Sequence, residues 1–293
     1  MKSNGRIRAS EGGSPARRLT SVVVVGVLAV IALVLMRCES TGGAPTDIKL
    51  TAATDTTVTV SWTAPAGGAP EGYVVAFMET GTSAWVDFGN VTDSATTTGH
   101  NPLGKTGKYR VTAVFGASTF AAAETPTSAP VHTEGTLVSE LNEAGLPGYG
   151  WARDSGEGAT FPMMYASKAD KIDFYITDWA TGHAGPTYAI ASPDWGPNEP
   201  GGAGVVPPGA WRATAFSPAL ASEQAPLPAF SSGTYGNNVE LAADSTIVAV
   251  YTDTLGSFRH YALVKLSSPD TSNGTVRVET WFQLIKGLRL IQH

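Results

Sequence analysis

Cysteine is nearly missing from this chain. Cys38 stands alone among 293 residues, so no intrachain disulfide can form and every folded part must be held by its own core. Charge is scarce as well, at 15% of residues. The five histidines, His100, His132, His183, His260 and His293, are scattered without the spacing that a zinc site needs. No metal site, no cofactor and no phosphate-cradling loop are expected. There is no Gly-x-Ser-x-Gly elbow and no His-Glu-x-x-His string, and no catalytic residue is assigned.

What charge there is lies unevenly. Residues 1–37 hold six basic groups and one acid, and the rest of the chain holds thirteen and twenty-four, so the leader carries +5 and the remainder −11. A remainder this acidic repels nucleic acid, which is excluded as a partner. Within the leader, Leu19 to Met36 form an uncharged apolar run of eighteen residues. At ~1.5 Å per residue such a run just reaches across a hydrocarbon core. The sequence therefore divides first into a basic cytoplasmic segment (1–18), a transmembrane or signal-anchor helix (19–36) that makes the membrane a partner, and a linker (37–44). The string Leu35-Met36-Arg37-Cys38 resembles the lipobox of bacterial lipoproteins in its Leu three residues before Cys38, with Arg37 where that family has a small residue. Retained anchor, acylated Cys38 and cleaved signal all stay open, and each places residues 39–293 outside the cytoplasm.

Glycine (33) and proline (19) are plentiful beside 42% hydrophobic residues, the balance of a mainly β protein. In TDTTVTVSW, Val58, Val60 and Trp62 alternate with Thr57, Thr59 and Ser61, the period of a half-buried strand. GYVVAF sets Tyr73, Val75 and Phe77 on one face, and KYRVTAVF does the same with Tyr109, Val111 and Ala113. Short strands between turn signals predict an antiparallel sandwich. Residues 45–133 resemble a fibronectin type III domain: Trp62 ends the second strand, Tyr73 opens the third, and Leu103 precedes Tyr109 by six residues, as in that family's tyrosine corner. The resemblance implies a spacer and interaction module. Trp62, Tyr73 and Tyr109 are expected in its core.

Residues 134–293 resemble no family closely. TLVSELNEAG, with Leu137 and Leu141 four apart and Gly145 after them, predicts a short helix. DKIDFYITDW and TYAIAS predict strands, and STIVAVYT, FRHYALVKL and VRVETWFQLI predict a meander, to which KGLRLIQ could add a fourth strand. A second β-rich domain, sandwich or jelly-roll-like, is expected. From Ser192 to Gly236 eight prolines accompany Trp195, Trp211, Phe216 and Phe230, which predicts a long loop pinned by its rings.

Asp178-Trp179 and Asp194-Trp195 each set an acid beside an indole, the pairing of a sugar-binding face, with Trp211 a further candidate. Asp170, Asp173 and Asp178 cluster, yet Asp170 and Asp173 fall on opposite faces of a strand and read as solvated or edge-protecting acids. The sequence points to a bacterial-type envelope protein, tethered to the membrane, that recognises a carbohydrate or protein partner outside the cell without catalysis. Two alternatives stand beside it. One is a glycoside hydrolase with an accessory module, its acids drawn from Glu199, Glu223, Glu240 and Glu279. The other is a haem-like capture lipoprotein, whose distal unit resembles haem-scavenging lipoproteins through DKIDFY and the closing strands, and which needs His183 near His260.

Overall fold

The computed structural model describes residues 42–92, 95–141, 143–163, 165–177, 188–194, 211–231, 233–252 and 259–292. The apolar run 19–36 lies outside them; among the described residues no helix is long and apolar enough to cross a membrane.

The alternating segments of the first unit form seven strands: β1 (Thr46–Ala52), β2 (Val58–Thr63), β3 (Gly72–Glu79), β4 (Val86–Thr92), β5 (Thr97–His100), β6 (Gly107–Phe115) and β7 (Ser118–Ala121). They make two antiparallel sheets in the orders β1-β2-β5 and β4-β3-β6-β7. The apolar phases meet between the sheets, so Val58, Val60, Val75, Tyr109, Val111 and Ala113 are wholly buried. Trp62 packs edge-on against Tyr73 with ring centroids 5.0 Å apart.

The link after β7 pairs briefly with β6, Tyr109 N–H donating to the Pro126 carbonyl at 2.9 Å and Ser128 N–H to the Gly107 carbonyl at 2.8 Å. The chain then enters β8 (Val131–Ser139). Here the sequence expectation of a helix gives way. β8 lies in register with the last strand, Leu137 opposite Arg277, and Leu137 faces solvent at 58% exposure. A ladder to a long partner strand outweighs the local i, i+4 spacing.

The second unit is a sandwich of two five-stranded sheets. One has the order β13 (Ala215–Phe216), β15 (Ser245–Thr252), β16 (His260–Asp270), β17 (Thr275–Phe282) and β8. The other has β10 (Gly158–Phe161), β9 (Gly148–Trp151), β11 (Phe174–Thr177), β12 (Ala189–Ala191) and β14 (Asn238–Glu240). The predicted meander is β15-β16-β17. Its even-numbered residues, among them Val248, Val250, Val264 and Val278, pack on Tyr149, Trp151, Phe174 and Ile190 of the facing sheet.

Both sheets are also covered from outside, which is why their strands read as continuous apolar runs rather than clean alternations. The proline-rich segment 217–235 lays Leu220, Leu227, Phe230 and Tyr235 over Tyr251, Tyr261 and Leu263. Phe230 stacks on Tyr251 at 4.2 Å. A 3-10 helix, Ala166–Lys171, and Trp211 cover the other sheet.

KGLRLIQ is not a fourth strand. After a turn at Gly287 (φ +77°), Leu288 and Leu290 enter the core of the first sandwich beside Val58, Trp62 and Tyr73, while Ile291 joins the apolar layer over the second. The alternating pattern of this segment is satisfied by two different cores instead of one ladder. Arg289 fixes it, its main-chain N–H donating to the Asp55 carbonyl at 2.6 Å and its Nε to the Asp55 carboxylate at 2.8 Å.

Leu288→Ala is expected to cost ~2–5 kcal/mol, as for other buried leucines. Hydrogen exchange checks where the loss falls. Amides of β2 and β6 will exchange faster in the variant, although residue 288 lies at the far end of the sequence.

Candidate functional site

Of the residues expected to bind, Asp178, Trp179 and Trp195 lie outside the described residues, as does Cys38. Asp194 is exposed and accepts a 2.5 Å hydrogen bond from Ser192 Oγ, which in turn accepts from Thr214 N–H at 2.9 Å. Trp211 is only 5% exposed and packs with Met163, Ala169, Ile172 and Tyr175. Its indole shows no face to solvent, which removes it as a sugar platform. The outer side of β11 and β12 is apolar, and Trp211 is what covers it.

Asp173 is the largest departure from the sequence reading. It is fully buried and holds together three segments. Its carboxylate accepts from Trp151 N–H at 2.9 Å, from Arg153 at 2.5 Å and from Arg212 at 2.8 Å. Gly150 makes this approach feasible, because a Cβ there would run into the Lys171 carbonyl. The two arginines lie far apart in sequence, so nothing local identified them as partners. Asp170, by contrast, is exposed on the 3-10 helix.

The remaining acids named for hydrolysis pair with cations where they are described in ion pairs. Glu223 and Glu279 both reach the Lys265 ammonium, at 2.6 and 3.7 Å, and Glu279 also meets His132 Nε2 at 2.8 Å. His132 stacks on Trp281. His260 is buried against Phe282, with Nδ1 donating to the Gln283 carbonyl at 2.8 Å. Its relation to His183 lies outside the described residues. Among the described residues no group of three or more His, Cys, Asp or Glu is placed to hold a metal ion.

Two cavities flank the turn that leads into β6. Asn101 Oδ1 accepts from Leu103 N–H at 3.0 Å, and the Pro102 carbonyl accepts from Lys105 N–H at 3.0 Å. This tight turn throws Leu103 outward, with φ +54° and 84% exposure. Leu103 is therefore not a packed member of a tyrosine corner. The Tyr109 hydroxyl instead meets His100 Nδ1 at 3.1 Å. Burial pushes the Tyr109 phenol well above its ordinary value, and burial pulls His100 below its ordinary 6.5.

Residues 99–106, GHNPLGKT, spell the Gly-x-x-x-x-Gly-Lys-Thr letters of a phosphate loop, a match the sequence reading passed over. The structure gives that string another job. A strand follows it, not a helix whose N-terminus would bind phosphate. Lys105 pairs with Glu79 at 2.9 Å, and Thr106 Oγ1 donates to the Gln292 carbonyl at 2.6 Å.

One cavity, of about 380 Å³, lies between the two sandwiches, walled by Thr56, Leu103, Glu223, Leu227 and Arg289. The other, of about 470 Å³, belongs to the first sandwich alone and is lined by Phe77, Ala84, Val86, His100, Pro102 and Leu103, with Glu79 and Lys105 also bordering it.

The fibronectin type III domain model matches residues 43–134, the first sandwich and the start of β8. No curated protein matches the chain. Among solved structures, an FN3 domain of human collagen XX is 20% identical over 30% of this chain and 92% of that one, with a TM-score of 0.25. A redesigned β-sandwich protein is 28% identical over 29% of this chain and 89% of its own, with a TM-score of 0.25. The FN1-FN3 domains of chicken CNTN1 are 10% identical over 83% of this chain and 67% of theirs, with a TM-score of 0.26.

Two measurements test the polar anchors. Asp173→Ala strands two guanidiniums, and urea denaturation should show a loss of about 3–5 kcal/mol, partly recovered by adding Arg212→Met. Below its ordinary 6.5, His100 binds a proton more readily unfolded than folded, so its contribution is intact above that pH and is lost as pH falls through the folded value. Unfolding midpoints between pH 7.5 and 5 should therefore drop less in His100→Phe than in the parent. Strand pattern, sandwich topology and family match agree on residues 43–134, and the chain is a fibronectin type III domain-containing protein.

Proposed function

We propose that this chain is a membrane-tethered recognition or adhesion protein of a bacterial-type cell envelope. It carries no catalytic activity and uses its distal sandwich to bind a carbohydrate or a surface partner. Fibronectin type III domains commonly serve in adhesion and recognition, which agrees with that role. The observation that carries the reading is the fate of the acids. Asp173 is spent on two arginines, and Glu223 and Glu279 on Lys265 and His132. Retaining and inverting glycosidases instead need two carboxyls facing each other across a substrate cleft, ~5–10 Å apart. The apolar run 19–36 with its basic flank supports the tether, and Cys38 is the residue that acylation would use.

A glycan and surface-polymer array probed with the detergent-solubilised chain tests the binding. Trp195→Ala should weaken the recognised ligand at least tenfold, about 1.4 kcal/mol, with the unfolding midpoint unchanged. Turnover of any arrayed glycan would sink the non-catalytic reading. Protease added to intact cells should digest the sandwiches, and full protection would remove the extracytoplasmic assignment.

A further inference from the structure

The cavity beside β3 and β5 has the make-up of a small-molecule site in the fibronectin type III domain itself, separate from the distal surface proposed above. Its volume, about 470 Å³, falls in the range of pockets that hold drug-sized ligands. Its walls are largely apolar: Phe77, Ala84, Val86, Pro102 and Leu103. Two of these are unusual for surface residues. Val86 is 63% exposed and Leu103 is 84% exposed, the latter held at a positive φ that non-glycine residues rarely adopt. Neither recovers packing from the fold for its exposure, and both stand at the rim of the same space.

The polar features are few and placed apart. His100 lines the cavity while its ring stacks on Phe88 at 4.0 Å and Nδ1 is engaged by Tyr109. With Nδ1 committed, Nε2 remains the hydrogen-bonding point that the ring can offer a ligand. The charges at the border cancel, because Glu79 and Lys105 pair at 2.9 Å. A charged ligand thus gains no net attraction at the mouth. Apolar walls, one imidazole nitrogen and a neutral rim together specify the occupant.

We infer that this cavity binds an uncharged, largely apolar small molecule, of fused-ring size, bearing one hydroxyl or carbonyl that meets His100 Nε2. Val86 and Leu103 close on its apolar body, and His100 selects its polar group.

Isothermal titration of the full chain with 2-naphthol, naphthalene and 2-naphthyl phosphate tests this. One-site saturable binding of 2-naphthol is expected, at least tenfold tighter than naphthalene and than the phosphate. Val86→Glu, at an exposed position, should weaken 2-naphthol at least tenfold with an unchanged unfolding midpoint. His100→Phe should bring 2-naphthol and naphthalene to equal affinity. The inference is overturned by the lack of saturable 2-naphthol binding, by affinity indifferent to Val86→Glu, or by tighter binding of the phosphate, which would assign the space to Lys105 and an anion.

Discussion

The buried carboxamide of Gln283 is the contact on which the arrangement of the two sandwiches rests. Its Nε2 donates to the Ser128 carbonyl at 2.9 Å and to the Leu290 carbonyl at 2.7 Å, and its Oε1 accepts from Ile285 N–H at 2.9 Å. Its main chain is occupied too, donating to the Tyr261 carbonyl and accepting from His260. One side chain at the end of β17 therefore ties together the link between the domains, the last described segment and the edge of the distal sheet. Fully satisfied, such a buried amide rigidifies its surroundings; with any one partner lost it would leave a costly orphan.

From that knot the segment 285–292 reaches into the first sandwich. A fibronectin type III domain placed as a bead on a string would complete its own core. Here Leu288 and Leu290 complete it from outside. The domain is thus part of a larger body, and Arg289 with Asp55 and Thr106 with Gln292 fasten its surface to the same segment. Rigid coupling of this kind transmits a load or a binding event from one domain to the other without a hinge. The distal sandwich repeats the logic with charge: Asp173 is affordable in the interior only because two guanidiniums and a main-chain N–H surround it.

The strands were readable because each side chain's phase along the chain carries its fate. Trp62, Tyr73 and Tyr109 fell on apolar phases and are core, and the β15-β16-β17 meander follows its turn signals. Leu137 misled because i, i+4 spacing says nothing about a partner strand that begins at residue 275. Trp211 misled because an aromatic residue among prolines looks the same whether it faces solvent or plugs a layer. The cavity at His100 was invisible for the same reason: Val86, His100 and Leu103 come from three segments, and only the turn at Asn101 turns Leu103 outward.

By itself the sequence determined the division into leader, first sandwich and distal β domain, the strand phases, and the chemistry that Cys38 and the scattered histidines exclude. Those properties are local, set by neighbours one to six residues away. Tertiary structure alone decided that Asp173 is buried between Arg153 and Arg212, that residues 285–292 serve two cores, and that Leu103 stands exposed over a cavity. Each depends on groups distant in the chain meeting at hydrogen-bond or van der Waals range, and such meetings leave no periodic trace in the order of residues.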